Sequence, residues 1–257
     1  MHISPDFLRR IAGVAAAETL PRFRTQGTVD NKEASGFDPV TEADQQAELA
    51  IRRLIKTEFP DHGILGEEHG SENLGSSHVW VVDPIDGTRA FISGLPVWGT
   101  LVGLTIDGDA VAGMMSQPFT GELFYADGAG AHYDGPGGSR KLATRRTENL
   151  ADAISFTTTP ALFRGEMRKR YDTFESKVQL ARYGTDCYAF AMLAAGCIDV
   201  VVDPGLKPYD IVALIPIIEQ AGGIVTTFDG GPAENGGDIL AAATPQLHEA
   251  AMDALHG

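Results

Sequence analysis

Apolar side chains recur at intervals of three and four residues in two segments of the first sixty residues. The first segment contains Phe7, Leu8, Ile11, Ala12 and Ala15, and the second contains Ala47, Ala50, Ile51, Leu54 and Ile55. This spacing places the apolar groups on one face of a helix with about 3.6 residues per turn. The pattern therefore predicts two amphipathic helices before Pro60, separated by a polar loop over residues 26–40.

The segments that follow are short and apolar, and turns that contain glycine separate them. Residues 79–82 form a continuous apolar run, which predicts a buried strand. Further apolar runs occupy residues 100–106, 110–117 and 123–126, with turn residues such as Asp107-Gly108-Asp109 between them. Strands of this length joined by tight turns predict an antiparallel meander.

The second half of the chain alternates between strand-like and helix-like segments. Strands are predicted over residues 154–157, 178–180, 198–202 and 224–226, with helices over 163–174, 185–197 and 211–221 between them. A charged stretch over residues 140–148 separates this half from the first. We therefore predict an α/β protein with layered α+β character, built from residues 1–145 and 146–257, with a cleft between the two halves.

The charge balance limits the classes of partner. The chain has 20 Lys and Arg against 35 Asp and Glu, a net charge of −15 at pH 7. No basic cluster interrupts this excess of acids, so nucleic-acid binding is not expected. The same negative field would repel a phosphate ester unless bound divalent cations reversed the local sign. Any phosphate chemistry is therefore expected to depend on metal.

The cysteines and the lengths of the apolar runs bear on the cellular compartment. Cys187 and Cys197 lie ten positions apart in one predicted helix, which separates them by about 15 Å, whereas a disulfide needs Cα atoms within about 7 Å. We expect both to be buried thiols in a reducing cytoplasm. Residues 11–17 are flanked by Asp6 and Glu18, which favours a helix over a signal peptide. No segment approaches the roughly 20 apolar residues of a membrane span.

The segment Asp83-Pro84-Ile85-Asp86-Gly87-Thr88 directly follows the strand predicted at 79–82. Pro84 cannot donate a ladder hydrogen bond, so we expect the strand to stop there with both carboxylates beyond its C-terminal edge. Gly87 would let a phosphate approach the main chain, and a helix starting at Thr88 would direct free N–H groups at it. Hard oxygen ligands of this kind suit Mg²⁺. The structural alternative is a turn whose aspartates are solvated caps.

Further acids stand next to other predicted elements. Glu67-Glu68 follows a strand-like apolar stretch, and Asp210 precedes an apolar run over 211–218, where an acid also complements a helix dipole. Asp44 ends a capping-box pattern that starts at Thr41. Each acid has a structural explanation when taken alone, but their joint occurrence favours one shared metal site.

Several of these segments together resemble the sequence signatures of the inositol monophosphatase family. They are Gly66-Glu67-Glu68, Trp80-Val81-Val82-Asp83-Pro84-Ile85-Asp86-Gly87-Thr88, Tyr209-Asp210-Ile211-Val212-Ala213 and Glu219-Gln220-Ala221-Gly222-Gly223. They stand in the family's order across nearly the whole chain. The resemblance implies an α-β-α-β-α five-layer sandwich of the inositol monophosphatase and fructose-1,6-bisphosphatase type. It also implies a Mg²⁺-dependent phosphomonoesterase that acts on a small phosphorylated substrate and forms a homodimer.

The resemblance implies a role for each residue that matches a family motif. The first Mg²⁺ would be held by Glu67, Asp83 and the Ile85 carbonyl, the second by Asp83, Asp86 and Asp210, and a third would share Glu67 with water. The catalytic set would be Glu67, Thr88 and Asp44, with Thr88, oriented by Asp44, positioning a metal-activated water. The phosphate would be held by the amides of Gly87 and Thr88 and by Lys32, for which an exposed, solvated lysine is an equally good explanation.

Residues 89–100, 184–189 and 205–210 resemble the histidinol-phosphate phosphatase branch of the family more closely. Inositol phosphatases have a Glu seven residues before the last metal ligand, where it contacts the sugar hydroxyls, and this chain has Asp203 there. Asp186 would lie beside the leaving group and pair with the ammonium or imidazole of histidinol phosphate. The alternative for Asp186 is a cap on the helix predicted to begin near Cys187.

Two other classes of function stay open at the level of sequence. Phosphatases of the same superfamily that act on inositol phosphate, fructose bisphosphate or a 3′-phosphonucleotide would keep every metal ligand. A non-catalytic metal-binding or regulatory protein is the other alternative, and the presence of both Asp44 and Thr88 disfavours it.

Overall fold

The computed structural model describes residues 3–25, 29–31 and 39–256. Helix α1 spans Pro5–Thr19 and helix α2 spans Glu42–Glu58, so both amphipathic helices predicted from the sequence are confirmed. Strands β1, Val29–Asn31, and β2, Pro39–Thr41, pair antiparallel between them. Helix α2 begins with a capping box, in which the Thr41 side chain accepts a main-chain N–H of the first turn and the Asp44 side chain accepts the N–H of Thr41.

The first half builds an eight-stranded sheet. Its strands are β3 Gly63–Gly66, β4 Gly70–Glu72, β5 His78–Asp86, β6 Gly99–Ile106, β7 Asp109–Gln117, β8 Glu122–Ala126, β9 Ala131–Asp134 and β10 Arg140–Lys141. Their order is β10-β9-β8-β7-β6-β5-β3-β4, and β6 to β8 form the predicted antiparallel meander. Strands β3 and β5 are parallel neighbours, so their C-terminal ends meet at one edge of the sheet.

The expectation that β5 stops at Pro84 is wrong. The strand continues to Asp86, because its pairing with β6 resumes after a register shift in which Asp83 lies opposite Leu101 and Asp86 opposite Gly99. An extra residue on one strand forms a bulge, and a bulge tolerates the missing N–H of proline. The bulge kinks the strand where its two aspartates leave the sheet.

The second half builds a five-stranded sheet with helices on both faces. The strands are β11 Ile154–Thr157, β12 Leu180–Tyr183, β13 Val200–Leu206, β14 Ile224–Thr227 and β15 Gly237–Ala242, in the order β12-β11-β13-β15-β14. The helices are α4 Gly165–Glu175, α5 Asp186–Ala194, α6 Pro208–Ile211, α7 Leu214–Gln220 and α8 Pro245–His256, after the short α3 Thr88–Ile92 of the first half. The 3₁₀ turns Leu150–Asp152 and Pro160–Leu162 complete the half.

The second half differs from its prediction in particular places. The helix predicted over 211–221 is divided into α6 and α7, and the strand predicted over 178–180 begins only at Leu180. Strand β15 and helix α8 were not predicted. The predicted boundary after residue 145 falls in the connection between the last strand of the first sheet and the first strand of the second.

Among the described residues, three large apolar cores lie between the layers, and the middle one contains the helices α5 and α7; a smaller cluster surrounds Phe91 and Trp98. The first core joins α1 and α2 to one face of the eight-stranded sheet, with Ile11, Ile51 and Trp80 in contact. The second lies between the two sheets and includes Leu101, Phe190, Val201 and Ile217, and the third packs α4 and α8 against the outer face of the five-stranded sheet with Phe174, Val202, Leu240 and Leu255. Adjacent residues such as Leu101 and Val102 enter different cores, as alternation along a strand requires. The α-β-α-β-α sandwich is thereby confirmed.

Two further expectations concern the burial of the cysteines and the presence of membrane-spanning helices. Both cysteines are free thiols, and Cys187 is buried. Cys197 is exposed, which corrects the expectation of a buried thiol, because α5 ends at Ala194 and leaves this residue in the following turn. Within the described ranges, none of the helices has the length and apolar character needed to cross a lipid bilayer.

Candidate active site

Asp83, Asp86 and Asp210 converge at the C-terminal end of β5. One carboxylate oxygen from each lies within 4.8 Å of the other two. Asp83 and Asp86 flank the bulge of β5, and the Ile85 N–H donates to Asp83 Oδ1 at 3.0 Å. Asp210 enters from α6, where the Lys207 N–H donates to its Oδ2 at 2.7 Å. Residues more than 120 positions apart in the chain thus form one acidic cluster.

The cluster is electrostatically unfavourable without a counter-ion. Burial raises the pKa of Asp83 well above its usual value, and the neighbouring charges of Glu67, Asp86 and Asp210 raise this pKa further. Burial also raises the pKa of Asp86, followed by the charges of Asp186 and Asp210. For Asp210, burial raises the pKa to about 7. Crowded carboxylates whose mutual repulsion and burial oppose ionisation form a donor set for a hard divalent cation, and Mg²⁺ takes oxygen ligands of this kind.

Glu67 lies beside the cluster as a fourth carboxylate. It is the first residue after β3, and its N–H donates to the Val82 carbonyl of β5 at 3.1 Å. Its side chain is hydrogen-bonded to Asp83, and its charge raises the pKa of both Asp44 and Asp210. The parallel pairing of β3 and β5 therefore brings Glu67 next to the aspartates at the end of β5.

The turn after the aspartates has the geometry expected of a phosphate-binding main chain. Gly87 adopts a left-handed conformation with φ of 82°, and α3 begins at Thr88. A Cβ at Gly87 would lie 3.0–3.3 Å from side-chain atoms of Asp186, so glycine is required for space as well as for conformation. The third residue predicted to hold the phosphate, Lys32, lies outside the described residues.

The sequence predicted that Asp44 orients Thr88, but in the structure each of these side chains is hydrogen-bonded to another residue. The Thr88 hydroxyl donates to the Ile85 carbonyl at 3.1 Å. Asp44 is fully buried and accepts from Thr41 through Oδ2, at 2.8 Å from the main-chain N–H and 2.6 Å from the hydroxyl. Its Oδ1 has no hydrogen-bond partner among the described residues, and burial raises its pKa to about 6. Asp44 is therefore the partner of the N-cap residue Thr41 in the capping box of α2, and Thr88 is hydrogen-bonded to the carbonyl of Ile85, a predicted metal ligand.

A cavity of about 230 Å³ opens beside the cluster. Its lining includes Asp86, Thr158, Asp186, Asp203 and Asp210. The cavity therefore lies between Asp86 of the first half and residues of the second half.

Asp186 is the first residue of α5, lines this cavity and packs directly against Gly87. The residue at the cap position is Thr185, so the alternative that Asp186 caps the helix does not apply. Asp186 has a left-handed φ of 40°, an uncommon conformation for a residue with a side chain. Burial raises the pKa of its carboxyl, while hydrogen bonding to Thr158 and the charge of Arg89 oppose the rise.

Asp203 lines the cavity, but its oxygens are occupied by the end of β11. Its Oδ1 accepts from the Thr157 hydroxyl at 2.7 Å and the Thr158 N–H at 2.6 Å, and its Oδ2 accepts from the Thr158 hydroxyl at 3.2 Å. Burial raises the pKa of Asp203 to about 6. Its geometry suits a residue that positions Thr158 better than one that contacts a leaving group directly.

Sequence reasoning missed two residues of the site. Thr158 lines the cavity between the two acids, and no pattern in the sequence distinguishes it from the neighbouring threonines 157 and 159. Glu48 contacts the turn that contains Glu67. The available signal was its helical spacing of four residues from Asp44 and from Arg52.

A layered α/β sandwich with carboxylates collected at strand ends, beside a left-handed glycine and a short helix, is the arrangement of a metal-dependent phosphatase. Comparison with known proteins assigns the family: residues 6–257 match the model of the inositol monophosphatase family. The chain therefore belongs to the inositol monophosphatase family.

Different relatives are named after different substrates. The chain is 38% identical over 231 residues to the chloroplastic bifunctional phosphatase IMPL2 of Arabidopsis thaliana, covering 85% of this chain and 66% of that protein. It is 37% identical over 206 residues to the histidinol-phosphatase of Chlorobaculum parvum, covering 80% and 78%. Among solved structures, the inositol monophosphatase of Zymomonas mobilis superposes with a TM-score of 0.87 at 37% identity, covering 98% of this chain and 97% of that one. The names of these relatives agree on a phosphatase but not on one substrate.

Proposed function

We propose that this protein is a Mg²⁺-dependent phosphomonoesterase that hydrolyses histidinol phosphate to histidinol and phosphate. The observation that carries the proposal is the position of Asp186, which lines the cavity beside Asp86 and Asp210 and packs against Gly87. An acid at this point would meet a leaving group that bears a positive charge. The resemblance of the chain to a protein named histidinol-phosphatase agrees with this choice.

The metal requirement follows from the donor set. Asp83, Asp86 and Asp210 would hold the cation, and Glu67 and the Ile85 carbonyl lie beside them as further oxygen donors. When bound, Mg²⁺ would acidify a water molecule and stabilise negative charge on the phosphate oxygens. The protein's own contribution is to hold four carboxylates close together although their mutual repulsion opposes it.

The residues of the turn would orient the phosphate. Gly87 has a φ of 82° and α3 begins at the next residue, so N–H groups at the start of this helix would be available to a phosphate oxygen. Thr88 holds the Ile85 carbonyl with its hydroxyl and so keeps the turn fixed relative to the acids. Positioning of this kind reduces the entropy lost on reaching the transition state.

The cavity would bind the remainder of the substrate. Asp186 offers a carboxylate to an ammonium or imidazolium group, and Thr158 joins Asp186 to the buried Asp203 by hydrogen bonds. A charge-assisted hydrogen bond contributes about 1.5–3 kcal/mol, which is enough to distinguish a cationic leaving group from a neutral polyol.

Inositol 1-phosphate is the second candidate, because the Zymomonas mobilis protein that superposes over nearly the whole chain is named an inositol monophosphatase. The metal and phosphate groups would serve it equally well. Measuring kcat/KM at one Mg²⁺ concentration for histidinol phosphate, inositol 1-phosphate, fructose 1,6-bisphosphate and 3′-phosphoadenosine 5′-phosphate separates the candidates. The proposal requires histidinol phosphate to give the highest value, and a higher value for any other substrate refutes it.

A further inference from the structure

A buried ion pair on α2 lies beneath the turn that contains Glu67. Glu48 is fully buried and Arg52, four residues later on the same helix face, is 7% exposed. The Arg52 Nε donates to Glu48 Oε1 at 2.7 Å. Both residues follow Asp44 at helical spacing, so the three side chains lie on one face of α2.

The pair satisfies main-chain groups of the turn between β3 and β4. Glu48 accepts the N–H of Glu68 through Oε2 at 2.7 Å and the N–H of His69 through Oε1 at 3.2 Å. Arg52 Nη2 donates to the Gly70 carbonyl. Two N–H groups and one carbonyl of the turn are therefore hydrogen-bonded to side chains of α2.

Gly66, the residue before Glu67, has no side chain and so leaves space for Glu48 and Arg52. A Cβ at Gly66 would overlap the carboxylate of Glu48 and would lie 2.8 Å from Arg52 Nη2. The ion pair thus packs directly on the main chain at the end of β3. On its other side Glu67 is held to β5 by the hydrogen bond from its N–H to Val82. The main chain of Glu67 is consequently fixed between a helix and a strand.

Fold stability does not by itself explain a buried ion pair here. Removing two charges from water costs several kcal/mol per ion, and apolar residues of similar volume often replace such pairs without loss of stability. A partner that orients a metal ligand, in contrast, sets metal affinity. We propose that Glu48, held by Arg52, is the positioning residue that fixes Glu67 for metal binding, an inference that rests on the proposed function.

The test is the metal affinity of the Glu48→Gln variant, whose side chain keeps its shape but loses the charge that binds Arg52. Calorimetric titration of the metal-free protein with Mn²⁺ and with Mg²⁺ should show affinity lowered by about 10- to 100-fold, with kcat at saturating Mg²⁺ within about threefold of wild type. Amide hydrogen exchange at Glu68 and His69 should be faster in the variant. A second variant, Arg52→Lys, keeps one ion pair but loses the fork geometry, and should weaken binding by a smaller factor of about threefold or more.

Asp199→Asn is the matched control. Asp199 is also fully buried, accepts the Ile154 N–H at 2.8 Å and pairs with Arg145 at 3.1 Å, but it lies outside the acidic cluster. This variant should lose stability without any change in metal affinity.

The outcomes separate this inference from the proposed function. Wild-type metal affinity in the folded Glu48→Gln protein overturns the positioning role, and if that variant does not fold, wild-type affinity in Arg52→Lys overturns it. A wild-type protein that neither binds Mg²⁺ nor hydrolyses phosphate esters refutes the proposed function instead.

Discussion

The carboxylate of Asp86 accepts the main-chain N–H of Cys187 at 2.6 Å. Asp86 belongs to the eight-stranded sheet and Cys187 to α5, so this hydrogen bond joins the two halves of the molecule at the acidic cluster itself. Asp186, the residue before Cys187, is thereby held beside the cluster in its left-handed conformation. A hydrogen bond therefore links the candidate metal site directly to the candidate leaving-group site.

Replacing Asp186 with Asn should change substrate preference. Asparagine tolerates a left-handed φ and keeps the side-chain shape, so the variant removes only the charge. We expect kcat/KM for histidinol phosphate to fall by about 10- to 100-fold, because a charge-assisted hydrogen bond is lost. The value for inositol 1-phosphate should change little, and both assays need saturating Mg²⁺ because the charge of Asp186 also raises the pKa of Asp86.

Asp172→Asn on α4 is the control for that experiment, since Asp172 pairs with Arg168 at the surface and does not line the cavity. It should leave both substrates unaffected. An equal loss for the two substrates in Asp186→Asn would contradict a specific role in cation recognition.

Replacing Gly87 with Ala should reduce both stability and activity. A left-handed conformation costs a residue with a Cβ roughly 1–2 kcal/mol, and here the new methyl would also press against Asp186. Gly230→Ala is the matched control, because Gly230 has a φ of 76° with no atom near its Cβ position. Thermal unfolding and kcat measured for both variants should show a stability loss in each and an activity loss in Gly87→Ala alone; unaltered kcat in Gly87→Ala would show that the turn does not hold the phosphate.

The stability of the metal-free protein should fall as pH rises from about 4 to about 7. Asp44 and Asp203 have pKa values raised to about 6 and Asp210 to about 7 in the folded state, from a value of 3.8. Between these limits the unfolded chain has released protons that the folded chain retains, so rising pH favours unfolding. Saturating Mg²⁺ should remove the part of the fall that comes from Asp210, since bound metal replaces the proton of this ligand, whereas the part from Asp44 and Asp203 should remain.

Urea unfolding of wild type and Asp210→Asn at several pH values, with and without Mg²⁺, measures this effect. The variant lacks one of the raised groups and should show a shallower decline in the metal-free state. Identical pH profiles for the two proteins would exclude Asp210 as a source of the pH dependence.

The elements with strong periodicity could be predicted from the sequence. The apolar faces of α1 and α2 repeat over several turns, and the glycine-bearing turns divide β6, β7 and β8 clearly. Strand β15 was missed because its segment is short and rich in glycine and alanine. Helix α8 was missed although Thr244 and Pro245 are a helix start signal, and the Leu247 N–H donates to the Thr244 hydroxyl at 3.2 Å.

The acids could be predicted, but their partners depend on tertiary packing. The end of β5 could not be placed, because the pairing of Asp86 with Gly99 depends on the neighbouring strand. The hydroxyl of Thr88 selects the nearby Ile85 carbonyl, a choice that no sequence spacing encodes. Glu48 and Arg52 have the spacing of an exposed helical ion pair, and only their packing under Gly66 shows that they are buried.

The most direct test of the account is the phosphatase activity of Asp83→Asn at saturating Mg²⁺. This change keeps the side-chain shape and removes the charge at the centre of the cluster, where Asp83 contacts Glu67 and lies within 4.8 Å of the other two aspartates. The account predicts a fall in kcat of about a hundredfold or more in a protein that stays folded and is at least as stable as wild type without metal. Activity within about tenfold of wild type would contradict the claim that these carboxylates hold the ions that drive hydrolysis.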